Sequence, residues 1–275
     1  VTSFEGRTGA VTAQQGDYTA AMVGAVPTNR TVNGKALSAD ISLTAEDVGA
    51  GAGKRTARFT VGTSTSGWTA ADCDYLCDGT DDQVEINAAI QALPSTGGEV
   101  VILDGTYNIT ATIAMNKDNV KLSGNGNATV LKRMWNSSAN EGVITVTATN
   151  GGCCIENLCV DGNKATYNSS NNSGIYLSNS SNNTITGNTF SSNKTYGIYL
   201  YNNSNNNTIT GNTCNDNNTG IYLSYNSNNT ITSSTSTSKN LNTSHLSSEP
   251  TTTQHSTTSN HNTRGTNLYN NHHNN

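Results

Sequence analysis

Carboxylates are the side chains of this sequence best suited to bond-breaking chemistry, and they are unevenly placed. Asp72, Asp74, Asp78, Asp81 and Asp82 crowd together ahead of an apolar run. Such a cluster invites calcium, although helix capping and solvation account for it without an ion. Asp104, Asp118, Glu141, Glu156 and Asp161 stand singly, and Asp104 and Asp161 sit in Asp-Gly turns. From residue 166 onward only Asp216 and Glu249 remain. Cleaving a glycosidic bond takes two carboxylates set across it, or a basic group beside a bound cation. This placement offers no such pair, so no catalytic residue, metal ligand or cofactor is expected. Cys73, Cys77, Cys153, Cys154, Cys159 and Cys214 lack the spacing of a zinc site or a small disulfide scaffold. They are expected to be free, partly buried thiols, with Cys73 and Cys77 pairing only in an exported protein.

What positions these residues is a repeat. Gly174-Ile175-Tyr176-Leu177 returns as Gly197-Ile198-Tyr199-Leu200 and as Gly220-Ile221-Tyr222-Leu223, every 23 residues, each time followed by an Asn-rich turn and a Thr-Ile-Thr triplet. A fixed period of this size marks a solenoid whose repeats must stack to bury a core. In a strand, Ile and Leu of the phrase face one side and Tyr the other. The same rule buries Ile185, Ile209 and Ile231 and exposes the flanking threonines. Asn fills the corners, where it tolerates left-handed backbone and can hydrogen-bond to its equivalent one coil away, about 4.8 Å along the stack. Phe190, Cys214 and Ser234 are expected at matching positions, a series losing bulk towards the C-terminus.

Two outward arrays follow. Tyr176, Tyr199 and Tyr222 form an aromatic stripe, the candidate ligand-binding residues, suited to the face of a sugar ring; the same rings could instead pack along the sheet or between chains. Thr184/Thr186, Thr208/Thr210 and Thr230/Thr232 form a Thr-x-Thr grid, which resembles the ice-binding face of some β-helical antifreeze proteins, although Thr is also a good exposed strand residue.

Composition bounds the partners. Only 33% of the 275 residues are hydrophobic and 12% charged, a balance that would read as disorder were it not for the periodic apolar positions. The net charge of −5, without a basic stripe, argues against nucleic acid. No run of 18 apolar residues exists to enter a membrane. The initial Val creates the expectation that an initiator Met or a longer N-terminal part precedes this sequence.

Residues 1–55 contain a degenerate duplication, Tyr18–Ala25 against Leu43–Ala50, with Gly-centred turns at Glu5-Gly6-Arg7 and Asn33-Gly34-Lys35 between short alternating segments. They hold too little apolar mass to close a core alone. Phe4 to Thr12, Gly16 to Ala20, Met22 to Ala25 and Arg30 to Leu37 resemble the N-terminal modules of bacteriophage and prophage tail fibres. That resemblance implies attachment to a tail or baseplate protein, a place on the virion tail, and a homotrimer.

After a linker at 51–55, a strand is expected at Ala57 to Val61. Thr80 is then the expected N-cap of a helix over about 81–93 that buries Ile86, Ala89, Ile90 and Leu93. Pro94 to Gly98 end it, and strands follow at 99–103 and 107–109. Asp78-Gly79-Thr80-Asp81-Asp82, Asn87-Ala88-Ala89-Ile90, Gly97-Gly98 and Val101 to Tyr107 resemble the entry to pectate-lyase-like right-handed parallel β-helices, in which the helix covers the first coil. The Asn-rich repeats also resemble NosD-like β-helix proteins, but no His or Met in the coils at 174–232 carries over their copper association.

The expected fold is therefore all-β: a right-handed parallel β-helix with a short N-terminal capping helix, preceded by a small β-rich attachment segment. Its divisions are 1–55 for attachment, 56–110 for the entry, 111–240 for the coils and 241–275 for a low-complexity tail. The expected function is a tail fibre or tailspike-like protein adhering to host surface polysaccharide. The alternatives are a depolymerase with acids supplied across chains and, more remotely, an ice-binding face. The tail retains the Asn, Thr and His flavour without the phrase, which fits either a disordered polar segment or a shifted reading frame. If the frame has shifted, one of the two other frames of the encoding DNA over 241–275 restores Gly-Ile-Tyr-Leu or Thr-Ile-Thr; if neither does, the shift is ruled out.

Overall fold

The computed structural model describes residues 57–237, together with the backbone of short strands on either side. It divides into Val1–Arg55 and Thr56–Asn275. In the first unit Ser3–Phe4 pairs antiparallel with Arg7–Thr8, and Thr31–Val32 with Lys35–Ala36. These are two small hairpins around the Gly-centred turns. The duplicated stretches at 18–25 and 43–50 lie outside the described residues.

The second unit opens with Arg58–Thr63, which pairs parallel with both Tyr75–Cys77 and Gly98–Ile102. Between them the helix Gln83–Ala92 buries Ile86, Ala89 and Ile90, and Leu93 is buried just beyond it. Thr80 is not its N-cap, contrary to the sequence reading. Asp81 sits at φ 54° and the cap position falls to Asp82. The Asp82 carboxylate turns away from the helix to accept the backbone N–H of Gly79 and of Asn108, at 2.8 and 2.7 Å. It thereby ties the helix start to the first coil. Leu93 adopts extended backbone, as a residue before proline prefers.

From residue 98 the chain winds into coils of three strands each, every one parallel to its equivalents. One sheet stacks Ile113–Met115, Glu141–Val146, Asn172–Ser178, Tyr196–Tyr201 and Thr219–Ser224. A second row stacks Thr184–Thr186, Thr208–Thr210 and Thr230–Thr232, and a third stacks Thr189–Ser191, Thr213–Asn215 and Thr235–Thr237. Equivalent residues of the repeated phrase are register partners, Ile175 with Ile198 and Ile198 with Ile221. Their side chains, with Ile185, Ile209 and Ile231, are buried as the alternation requires. Phe190 pairs with Cys214, and Cys214 with Ser236 rather than Ser234. The expected position was misplaced by two residues, because Ser233-Ser234 replaces the Gly-Asn turn itself; the loss of bulk along the series stands. Backbone pairing continues through Ser244–Ser247, Thr253–His255, Thr258–Ser259 and Leu268–Tyr269. The rest of 241–275 lies outside the described residues.

The coil corners are closed by buried asparagines. Asn183 donates its backbone N–H (2.8 Å) and its Nδ2 (3.1 Å) to Asn207 Oδ1, and Asn207 N–H donates to Asn229 Oδ1 at 2.8 Å. Asn188 makes the same pair of bonds to Asn212, at 3.0 and 3.1 Å, and Asn193 to Asn217, at 2.9 and 3.0 Å. The Nδ2 groups of Asn207, Asn212 and Asn217 also reach carbonyls of the preceding coil, those of Ser180, Ile185 and Phe190. The non-glycine residues with positive φ are mostly asparagines outside these ladders, among them Asn182, Asn206 and Asn228. Thus the residue before each ladder amide supplies the left-handed backbone, an Asn at 182, 206 and 228, a Gly at 187 and 211, and Ser192 or Asp216 at the third corner, and the next residue supplies the hydrogen bonds.

The irregular coils before 165 hold a different polar core. Arg133 is fully buried over the Trp135 ring at 3.8 Å, and donates to Ser173 O (2.8 Å), Ser137 Oγ (3.1 Å) and Asn172 Oδ1 (3.3 Å). Burial lowers its guanidinium to about 9, with the Glu141 carboxylate acting against that shift.

The ladders yield a direct test. Asn212→Ala strands two donors of Asn188 and the carbonyl of Ile185 in the interior. At roughly 1–3 kcal/mol for each unsatisfied group, it should lower unfolding free energy in a urea titration by about 3 kcal/mol or more. Asn212→Ser, which copies Ser234 one coil further on, should recover part of that loss.

Candidate functional site

Tyr176, Tyr199 and Tyr222 are register partners on the outer face of their sheet. Their ring centroids are 5.1 and 5.2 Å apart and the planes tilt by 39° and 41°. The rings face outward and pack along the sheet, the second of the two arrangements the sequence allowed, so that Tyr176 is only 9% and Tyr199 only 6% exposed, with Tyr222 half-buried. The rings shield one another, and Tyr196 closes over them. Its centroid lies 4.6 Å from both Tyr199 and Tyr222, and its ring is nearly parallel to that of Tyr222, at 7°. Tyr201 extends the cluster to Tyr225, which at 63% is the most exposed of these rings. The rings with surface left for a ligand are therefore Tyr225, the most open, and the half-buried Tyr196, Tyr201 and Tyr222.

Tyr196, Tyr201 and Tyr225 were missing from the sequence reading. Tyr201 follows Tyr199 by two, so alternation alone would have found it. Tyr196 could not be found that way, since strict alternation sends it inward with Ile198. The slip occurs at Gly197. A Cβ there would lie 2.7 Å from the Gly220 carbonyl oxygen, 2.9 Å from Asn217 Nδ2 and 3.2 Å from Cys214 Sγ. Gly197 and Ile198 thus both face the core, and the residue before them is turned out.

The threonine grid forms in register, with Thr210 and Thr232 hydroxyls 2.8 Å apart. On its N-terminal side the grid gives way to Cys154 and Glu156, which pair with Thr184 and Thr186. Lys121 there bridges Glu156 at 2.8 Å and Glu99 at 3.3 Å, and Arg58 meets Glu99 at 3.1 Å. Half-exposed pairs of this kind add little stability, but they place strongly hydrated charges where a flat threonine face would continue.

The clustered acids brace turns. Asp72 accepts from Thr69, Asp74 from Thr60, Asp78 from Thr80 and Asp81 from Thr110. Those bonds hold the Asp72 carboxyl below its usual range, whereas burial raises Asp82. Cys77, Asp82 and Glu85 bring three donor atoms within 4.8 Å of one another, but both Asp82 oxygens are already taken by backbone N–H groups. All six cysteines are free, as expected, and burial pushes the Cys214 thiol up to about 12.

The structure does bring together two acids that the sequence leaves far apart. Asp161 and Asp216 border one cleft of about 490 Å³, with Lys164, Lys194, Ser192 and Asn218. Asp161 pairs with Ser191, and Ser191 with Asn215, so the two acids stand two coils apart. Steps of 30 and then 24 residues hide this from a fixed-period reading. Lys164 reaches across to Asp216 Oδ1 at 2.8 Å and also bonds its carbonyl.

A family described as right handed beta helix region matches residues 101–275. The chain belongs to this family. Among solved structures, this right-handed β-helix resembles the A-module of Azotobacter vinelandii mannuronan C-5 epimerase AlgE6, with 24% identity, a TM-score of 0.52, and coverage of 58% of this chain and 47% of that one. It also resembles ORF18 of Geobacillus virus E2, with 21% identity, a TM-score of 0.47, and coverage of 64% and 42%. The chain thus spans less than half the length of either structure, and at these identities the likeness is one of fold. No curated protein matches the sequence. No helix among the described residues is long and apolar enough to cross a membrane.

Packing of the tyrosines makes a prediction in alkaline solution. Burial, then neighbouring phenols, pushes Tyr199 well above the ordinary range, and Tyr196 and Tyr107 also rise through burial. A raised phenol means that folding favours the protonated form. Its stabilisation is complete below the unfolded value of about 10 and is lost as pH climbs above that. Phenolate absorbance from these rings should therefore appear together with loss of the far-ultraviolet β signal, and Tyr199→Phe should remove its share.

Proposed function

We propose that this right-handed β-helix is the shaft and receptor-binding surface of a tail fibre or tailspike-like protein on a virion tail, adhering to host surface glycan. In this reading residues 1–55 attach it to a tail or baseplate protein, and three chains assemble as a homotrimer. The observation that carries the binding role is the tyrosine cluster, whose rings stand in register along the coil axis beside polar Asn and Ser corners. Tyr222, Tyr201 and Tyr225 offer aromatic faces for sugar rings, while Tyr176 and Tyr199 act as their packed base. Individual contacts of this kind are weak. Repetition over three chains, and over several fibres on one particle, multiplies them into firm adhesion.

One observation favours a second reading, a polysaccharide depolymerase. Asp161 and Asp216 share a cleft, although Lys164 already engages Asp216. Incubation with host capsular or wall polysaccharide separates the two, and sustained release of new reducing ends would sink the adhesin. For adhesion, Tyr222→Ser with Tyr225→Ser should weaken binding to cells or polysaccharide by about tenfold, in line with loss of an aromatic anchor, and Tyr225→Ser alone, at the most exposed ring, should weaken it at an unchanged unfolding midpoint. Tyr176→Ser combined with Tyr199→Ser should lower the midpoint as well. Unchanged binding in all four substitutions together counts against the tyrosine face.

A further inference from the structure

The cleft beside the third row of strands is not explained by anything the coils need for folding. Its charges are unevenly satisfied. Lys164 and Asp216 form an ion pair that spans two coils and makes one wall. Ser192 adds a contact to Asp216 Oδ2 at 3.4 Å. Lys194 borders the same space half-buried, and no carboxylate among the described residues pairs with it. Asp161, which borders the same cleft, spends one oxygen on the backbone N–H of Asn163 at 2.9 Å. Asn168 and Asn218 add amide groups to the rim.

We infer that this cleft binds one anionic sugar residue, with Lys194 receiving a carboxylate or phosphate group and Asp161, Asn168 and Asn218 receiving ring hydroxyls. This deepens the adhesin reading and rests on it, since it assigns the charge class of the glycan and a second contact point apart from the tyrosines. Three physical points converge. A volume of about 490 Å³ falls within the range of small-molecule sites, about 300–1,000 Å³. A half-buried ammonium without a counter-ion gains most from a ligand anion, because a charge-assisted hydrogen bond is about twice as strong as a neutral one. The Lys164–Asp216 pair is neutral in sum and Asp161 sets one negative charge against Lys194, so the cleft as a whole is neutral and favours an anion at its Lys194 end alone. Carboxylate and amide acceptors and donors then suit the hydroxyls that any sugar presents.

The test uses the full chain and four probes: glucuronate, glucose 6-phosphate, glucose and inorganic phosphate, each followed by ligand-observed NMR titration. Glucuronate or glucose 6-phosphate should saturate at concentrations at least tenfold below glucose, and which of the two is tighter identifies the anion. Lys194→Ala should weaken that binding by about tenfold or more, the loss of one hydrogen bond to a charged group, and Lys194→Arg should restore most of it. Raising salt should weaken wild-type binding and leave Lys194→Ala unaffected. Binding of the acidic sugars no tighter than glucose, or unchanged in Lys194→Ala, overturns the inference and leaves tyrosine-dependent adhesion standing. Inorganic phosphate binding as well as glucose 6-phosphate would also overturn it, since the sugar would then contribute nothing. Conversely, Lys194-dependent glucuronate binding in a protein that adheres to no cell or polysaccharide would refute adhesion while upholding the site. Matching circular dichroism and unfolding midpoints for the two Lys194 variants tie any loss to the cleft rather than to folding.

Discussion

Everything in this molecule follows from having to turn the backbone three times in each short coil without leaving its polar groups bare. A coil of 22–24 residues devotes about half of them to corners, where strand pairing lapses and the peptide groups point into a dry interior. Each buried N–H left without a partner would cost about 1–3 kcal/mol, which a core of a few Ile and Leu side chains per coil could not offset over many corners. The asparagine ladders remove that cost. One amide takes the N–H of its equivalent in the coil before and returns its own hydrogen to a carbonyl there, as Asn207, Asn212 and Asn217 each do. The apolar positions give cohesion, but the amides decide where the coil can bend.

That division of labour explains how much could be read from the sequence. The strands, the inward Ile and Leu positions and the Asn corners were legible, because stacking forces them to recur and recurrence is visible in one chain. Exposure was not. Tyr199 points away from the core and is nonetheless 6% exposed, since burial there comes from neighbours on other coils and from Tyr196, whose orientation depends on the slip at Gly197. The Thr80 cap failed for a similar reason: Asp82 finds better partners in Gly79 and Asn108 N–H groups, the latter distant in sequence. Asp161 and Asp216 share a cleft that a fixed period hides, because the step from Asp161 to Ser191 is 30 residues while that from Ser191 to Asn215 is 24. Arg133 gave no periodic signal at all, lying in the irregular coils where its guanidinium replaces missing apolar bulk with a hydrogen-bonded plug.

The outward surfaces divide accordingly. Where the interior is strictly periodic, the exterior carries rows of identical groups, the tyrosines on one sheet and the threonines on another. Where the interior becomes irregular, before residue 165, the exterior carries charge networks such as Glu99, Lys121 and Glu156. The cleft lies at the junction of the two regimes, its walls drawn from the last long coil and the first regular ones. Recognition of extended polymers suits the rows, and recognition of a single residue suits the junction.

The asparagine ladders also have a direction. The Oδ1 that satisfies a corner comes from the coil that follows, so no coil is finished until its successor has been laid down. A chain emerging from the ribosome N-terminus first would complete each turn one turn late, with the growing tip always the least satisfied part of the structure. The two faces of each regular coil are in this sense chemically different surfaces: the one towards the C-terminus presents backbone N–H groups and carbonyls, and the one towards the N-terminus presents the Oδ1 and Nδ2 atoms that meet them in the coil before.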